Sequence, residues 1–198
     1  MKYKNVSAVI LAGGKSSRMG QDKSLMDFNQ EKSMAQYLYE KLEKIFEDVY
    51  ISSKEDKFDF LASKQNLILD SSDIFSPMVA LESIFTTIDK QKIFIITVDM
   101  PLILSESIIK LLEDSNNSLY EIVIVKDKDN NIHNLCGVFD KSVLNKIEQY
   151  IKDDIHKINY LIKNSRHKII KFDSREEFLN LNTPQEYQKA LQVKNKFN

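Results

Sequence analysis

The chain has 198 residues, 42% of them hydrophobic and 29% charged, an ordinary globular composition that is long enough for a sizeable core and most simply one domain, 1–198. Its 28 basic and 29 acidic residues leave a net charge of -1, which argues against a general nucleic-acid or membrane-surface binder while allowing a local basic pocket. One cysteine, Cys136, excludes an intramolecular disulfide and a cysteine-rich metal site, and the first apolar run meets glycine and charge too early for a signal peptide or a membrane span, so a soluble cytoplasmic protein is expected.

Short β-branched, apolar runs recur along the chain, with helical spacing between most of them. VSAVIL (6–11) predicts the first strand. From Glu31 to Phe46, Met34, Tyr37, Leu38, Leu42 and Ile45 fall three and four residues apart, which predicts a helix. DVYIS (48–52) and LIL (67–69) read as the second and third strands. Pro77 opens a helix carrying Val79, Leu81, Ile84, Phe85 and Ile88 on its apolar positions. KIFIITV (92–98) is the fourth strand, and Pro101 precedes a helix that buries Ile108, Leu111 and Leu112. EIVIV (121–125) and NIHNLCGVFD (131–140) read as strands, the latter pairing with the core, and a helix follows over 141–151. After HKIIKF (167–172), Thr183-Pro184-Gln185-Glu186 fits a capping box with proline at the first helical position, opening a helix that buries Tyr187, Ala190 and Leu191. The first and fourth strands are apolar nearly throughout, as strands covered on both faces must be. The alternation predicts an α/β fold: a three-layer α/β/α sandwich with a mostly parallel, Rossmann-like sheet and right-handed crossovers.

Chemistry concentrates after the first strand, in AVILAGGKSSRMGQDKSLM (8–26). The chain has only four glycines, and Gly13, Gly14 and Gly20 lie here. A buried strand running into Gly13-Gly14 can turn without Cβ obstruction and aim backbone N–H groups at an anion. Lys15, Arg18 and Lys23 add positive charge, and Ser16 and Ser17 add hydroxyl donors. A triphosphate suits that set; the competing reading is a glycine turn in a solvated basic loop. The spacing fits neither a Walker A loop nor a G-x-G-x-x-G dinucleotide fingerprint. Asp99, ending the fourth strand, stands where open α/β sheets bind ligands and suits Mg²⁺, although an aspartate ahead of a helix is also an ordinary cap. Cys136 reads as a small buried residue. Lys152, Lys157, Lys163, Arg166 and Lys168 read as solvated surface, with an anionic-acceptor pocket as the alternative.

L-A-G-G-K-S-S-R-M-G-Q-D-K resembles the signature of the molybdenum cofactor guanylyltransferases, a family of nucleotidyltransferases. Sugar-phosphate nucleotidyltransferases usually share only its first part, with glycine where this chain has Ser16. Val98-Asp99-Met100-Pro101 is similar to the family's C-D-M-P, and Phe178-Leu179-Asn180-Leu181-Asn182-Thr183-Pro184 to its F-x-N-I-N-T-P. SPMVAL (76–81) departs from the family's G-P-L-A-G, since Ser76 and Ala80 replace both glycines of the segment near the base; His133-Asn134 replaces the family's His-Pro.

The resemblance implies the nucleotide-diphospho-sugar transferase fold, with a nucleotide-binding half (1–105) and an acceptor-binding half (106–198). It implies transfer of GMP from GTP to molybdopterin in its Mo-bearing form, with release of pyrophosphate and with Mg²⁺ held by Asp99. The implied catalytic residues are Lys23, Arg18 and Asp99. The implied nucleotide contacts are Leu11, Ala12, Gly13, Gly14, Arg18, Lys23, Ser52, Asp70 and Asp99, and the acceptor contacts are His133, Asn180 and Asn182. Asn182 and Thr183 also read as helix capping, and His133 as a partly exposed structural histidine. Transient contacts with molybdenum-cofactor insertion and delivery proteins are implied too, for a monomer or weak oligomer. Two other functions stay open: a cytidylyltransferase acting on molybdopterin or a sugar or polyol phosphate, and a non-catalytic nucleotide-binding accessory module.

Overall fold

In strand β1 (Val6–Leu11) every residue but the last is buried, so both its faces must be covered by other elements. A computed structural model describes residues 2–14, 22–29, 32–70, 72, 74–116 and 119–194 and supplies those elements. The strands β4 (Val49–Ser53), β5 (Leu67–Leu69), β6 (Lys92–Thr97), β7 (Ile122–Lys126), β8 (Ile132–Asp140) and β9 (His167–Lys171) join β1 in one sheet of order β5-β4-β1-β6-β8-β7-β9. β1 pairs in parallel with β4 on one side and β6 on the other. β8 alone runs against its neighbours, β6 and β7.

The period-2 alternation of the strands divides the apolar residues between two cores. Ala8 and Ile10 of β1, with Phe94 and Ile96 of β6, face helices α1 (Met34–Glu43), α3 (Ser105–Ser115) and α6 (Pro184–Val193). Val9, Ile93 and Ile95 face α2 (Pro77–Thr87), α4 (Leu144–Lys152) and α5 (Ile158–Lys163). Each fully buried Leu, Ile or Phe in such a core contributes about 1.5–3 kcal/mol. The three-layer α/β/α arrangement with a mostly parallel sheet is therefore present as expected.

Several boundaries differ from those read in the sequence. A small antiparallel pair forms, β2 (Asp27–Asn29) with β3 (Lys32–Ser33), and β3 occupies the start of the stretch read as the first helix. That helix begins at Met34 because Ser33 caps it, its hydroxyl accepting from Gln36 N at 3.2 Å. α3 follows Pro101 as expected and begins at Ser105, after a turn in which Met100 N donates to Thr97 O. Helix α5, only six residues long, was too short to show a period. In α6 the capping box is formed as expected, but only Ala190 is fully buried; Tyr187 and Leu191 are partly covered.

Gly137 on β8 is fixed by contact with its neighbour. A Cβ there would meet Val123 O at 2.1 Å and Ile124 Cα at 2.9 Å, beside the register shift between Ile124 and Val125. Backbone would have to move to admit a methyl group. Gly137→Ala should therefore destabilise the fold by about 1–3 kcal/mol, read as a lower urea midpoint; an unchanged midpoint would contradict the close approach.

Candidate active site

β1 sends the chain to β4 on one flank, and the chain later returns to β6 on the other. The two neighbours diverge beyond the carboxyl end of β1, which is where ligand crevices form in open α/β sheets. Two hydrogen bonds fix the split: Ala12 N donates to Ser52 O at 2.8 Å, and Val98 N donates to Leu11 O at 3.0 Å. Beyond it opens a cleft of about 430 Å³, walled by Leu11–Gly14, Lys23, Ser52, Asp70, Ser76 and Asp99, among others.

Gly13 and Gly14 form its floor. A Cβ on Gly13 would meet described atoms no nearer than Asp70 Oδ2 at 3.5 Å, and one on Gly14 would meet none within 4 Å. Neither residue has the left-handed φ that favours glycine. The described surroundings therefore do not require glycine at either place; a Cβ on Gly13 would pack against Asp70 and Lys54, and one on Gly14 would project into space that a ligand can use. This differs from the expectation that the glycines serve the turn itself. They suit close approach of a guest to bare backbone.

On the β4–β5 flank, Asp70 follows β5 with Asp70 N donating to Ser53 O at 3.0 Å. Its carboxylate accepts from Ser52 Oγ at 3.1 Å and lies 3.4 Å from Lys54 Nζ. Ser52 and Asp70 are thus joined in one fixed unit whose side chains are nearly covered.

The β6 flank carries Asp99 and Lys23. Lys23 rides on the short 3-10 turn Lys23–Leu25, which Asp22 caps by accepting from Ser24 N at 2.9 Å and Ser24 Oγ at 2.6 Å. The second Asp22 oxygen accepts from Lys57 Nζ at 2.5 Å. Burial alone would raise the Asp22 carboxyl, but the hydrogen bonds from Lys57 and Ser24 prevail and hold it below its ordinary value. Lys23 Nζ donates to Asn182 Oδ1 at 2.6 Å and lies 3.9 Å from Asp99 Oδ2. Asp99 Oδ1 is buried without a hydrogen-bond partner among the described residues, an arrangement that is costly unless something else meets it. Among the described residues no cluster of three or more metal-ligating side chains exists. A cation here would thus take Asp99 on one side and ligand oxygens on the rest, the pattern suited to Mg²⁺ with phosphates.

The turn beyond Asp99 rests on α1, where Lys41 Nζ donates to Ile103 O at 2.9 Å and Pro101 O at 3.4 Å. Burial pushes Lys41 down to about 8.

The expected site residues thus divide. Leu11, Ala12, Gly13, Gly14, Lys23, Ser52, Asp70 and Asp99 meet at one cleft, and Asn182 reaches it through Lys23. Arg18 lies outside the described residues. His133 and Asn180 are not among the cleft walls; His133 Nε2 lies 3.2 Å from Asp127 Oδ2 and its ring tilts against Phe178. Sequence reasoning missed Lys54, Lys57, Phe75 and Leu135. Only Lys54, just past a strand end, stood in a position that signals a ligand edge.

Known proteins resemble this chain along most of its length. A family profile described as the MobA-like NTP transferase domain matches residues 8–169. Molybdenum cofactor guanylyltransferase of Campylobacter jejuni subsp. doylei is 36% identical over 191 residues, covering 96% of this chain and 97% of the relative. The same enzyme of Helicobacter pylori (strain G27) is 35% identical over 194 residues, covering 96% and 93%. The crystal structure of molybdopterin-guanine dinucleotide biosynthesis protein A from Archaeoglobus fulgidus superposes with a TM-score of 0.79 at 19% identity, over 96% of this chain and 99% of that one. The fold is accordingly that of the nucleotide-diphospho-sugar transferases.

Two tests follow from the site. Gly14→Ala should leave the unfolding midpoint nearly unchanged, since its Cβ would meet no described atom within 4 Å, and weaken nucleoside triphosphate binding by about 10- to 100-fold, because the methyl group would hold phosphate away from the backbone N–H groups and their hydrogen bonds to a charged group; a large loss of stability with intact affinity would reverse the reading. Lys41 titrates at about 8 in the folded chain and at roughly 10.4 unfolded. Between those values the unfolded chain binds the extra proton, so stability rises with pH. Urea midpoints of the native chain should climb from about pH 8 towards pH 10 relative to those of Lys41→Met; parallel pH profiles would show that Lys41 is not so buried.

Proposed function

The chain belongs to the MobA-like NTP transferase family, and from that membership we propose that it is a molybdenum cofactor guanylyltransferase, transferring GMP from GTP to molybdopterin in its Mo-bearing form. It is a nucleotidyltransferase, like its curated relatives. The observation that carries the assignment of roles is the meeting of bare glycine backbone, the Lys23 ammonium and the unmatched Asp99 oxygen in one cleft.

In this reading a terminal phosphate oxygen of the acceptor attacks the α-phosphorus of GTP. A new P–O bond forms, the bond to the β-phosphate bridging oxygen breaks, and pyrophosphate leaves with that electron pair. The attacking phosphate is already ionised at neutral pH, so no protein base is needed. What the chain must supply is alignment and cancellation of negative charge. Gly13 and Gly14 N–H groups and Arg18 hold the triphosphate. Lys23, aimed by the Asn182 amide oxygen at 2.6 Å, meets the charge growing on the α-phosphate. Asp99 fits Mg²⁺, which when bound supplies Lewis-acid neutralisation of phosphate oxygens. Ser52 and Asp70 face the nucleoside. The first half of the chain, 1–105, binds the nucleotide, and the second, 106–198, presents the acceptor, with Asn180 and His133 as its weaker candidates.

Among the described residues no helix is long and apolar enough to cross a membrane; the cytoplasm is the proposed location. The substrates are small molecules, and the product would pass to insertion and delivery proteins by transient contact.

One observation favours a second reading. Ser76 and Ala80, in place of the family's glycines, both line the cleft, so the base could be cytosine. Thermal-shift measurements with GTP, CTP, ATP and UTP plus Mg²⁺ decide it: the proposal requires the largest shift with GTP, and a CTP response without one for GTP would overturn it. Pyrophosphate release with acceptor present separates an enzyme from an accessory binding module. Lys23→Ala and Asp99→Ala should each lower turnover by about 10²–10³-fold in folded protein; near-normal turnover of either variant would remove that residue from the mechanism.

A further inference from the structure

We propose that Phe75 is the stacking wall for the base of the bound nucleotide, held in place by Lys54. The inference rests on the nucleotide reading above and assigns a residue that no motif marks.

Phe75 stands in the connection between β5 and α2 and lines the cleft, yet 54% of it is exposed. Exposed aromatics are ordinary when scattered. This one is not held loosely. Lys54 Nζ sits over its ring, 5.2 Å from the centroid, within the range of a cation–π contact. The same ammonium donates to Ile74 O at 2.9 Å and to Ser72 O, and lies 3.4 Å from Asp70 Oδ2. A lysine whose side chain is only 14% exposed thereby ties the carboxylate before the connection to the backbone within it. On the other side Ser76 caps α2 by accepting from Met78 N at 3.1 Å. The backbone is fixed both before and after Phe75, so its ring is pre-positioned, and the ordering cost of a guest settling on it is reduced.

A planar heteroaromatic ring is the guest that suits an exposed, preset phenyl surface. Both the base and a pterin have that chemistry. The placement favours the base, because Phe75 lies with Ser52 and Asp70 on the β4–β5 flank, whereas Lys23, Asn182 and Asp99 gather on the other. Stacking also answers the loss of glycine at positions 76 and 80. Where backbone cannot approach a base as closely, a side chain can grip it from above. Because every base has a π-face, such a wall adds affinity without choosing guanine; choice then falls to polar groups of the cleft.

The test is calorimetric titration of the full chain with Mg²⁺ and no acceptor, using GTP, CTP and inorganic tripolyphosphate. Phe75→Ala should weaken the preferred nucleotide by about 10- to 100-fold and leave tripolyphosphate affinity unchanged, while Phe75→Tyr restores binding. Unchanged nucleotide affinity in Phe75→Ala, or an equal loss for tripolyphosphate, would overturn the proposal. So would a loss seen only on adding a free pterin. If the native chain binds CTP and not GTP, the guanylyl reading fails while the stacking wall is judged on CTP by the same ratio. Unfolding midpoints of both variants, expected to match the native chain because the ring is exposed, separate a lost contact from a lost fold.

Discussion

The site depends on one division of hydrogen bonds. At the end of β1 the chain is bonded to β6 through Leu11 O and to β4 through Ala12 N. The two ends of this one peptide group are thus held by different neighbours, and the neighbours part at that level. Whatever follows Ala12 must cross the mouth of the crevice between them. Two glycines there give a floor without side chains, and the strand ends on either side carry Ser52 and Asp99. The division itself follows from topology: a parallel strand with one connection to each flank leaves a gap at its carboxyl end.

The far end of the chain closes the site. Leu181 N donates to Asp99 O at 2.9 Å, and Asn182 Oδ1 accepts from Lys23. Asn182 is held in turn by the cap of α6, since Glu186 Oε2 accepts from both Asn182 N and Thr183 N at 2.9 Å. The capping and ligand-facing readings of Asn182-Thr183 are therefore two parts of one device. The cap sets the backbone, and the backbone aims the amide at the lysine. Asp22 serves the same lysine from the other side, through its turn and Lys57. A substitution at residue 182 or 22 would reach the chemistry through Lys23.

Elements whose signal is local were legible in the sequence. β1, β5 and α2 begin where their patterns begin, because an apolar run or a Ser-Pro start is written in adjacent residues. What was not legible depends on partners far along the chain. α3 has no cap of its own; Glu177 Oε2 accepts from Leu104 N at 3.2 Å and Ser107 Oγ at 2.6 Å. No spacing rule joins residue 177 to residue 104. α5 is too short for periodicity, and the β2–β3 pair is too short for alternation. The cleft divides similarly: Gly13, Lys23 and Asp99 were readable from motif chemistry, whereas Phe75 gains meaning only from the cleft it lines.

The charge of the cleft limits what can bind there. Its described walls carry Lys23 and Lys54 against Asp22, Asp70 and Asp99, so carboxylates outnumber ammonium groups around a proposed polyanion. Two of those carboxylates already have cationic partners, Asp22 with Lys57 and Asp70 with Lys54. The Lys23–Asp99 pair is wider, at 3.9 Å, and leaves one Asp99 oxygen without a described partner. A triphosphate brought beside that oxygen would meet like charge at short range, and removal from water makes such repulsion stronger. A divalent cation between them reverses the sign of the contact. Under the proposed function, the same carboxylate that would repel a bare triphosphate would then hold a metal-bound one, so that the reading calls for the nucleotide as its metal complex.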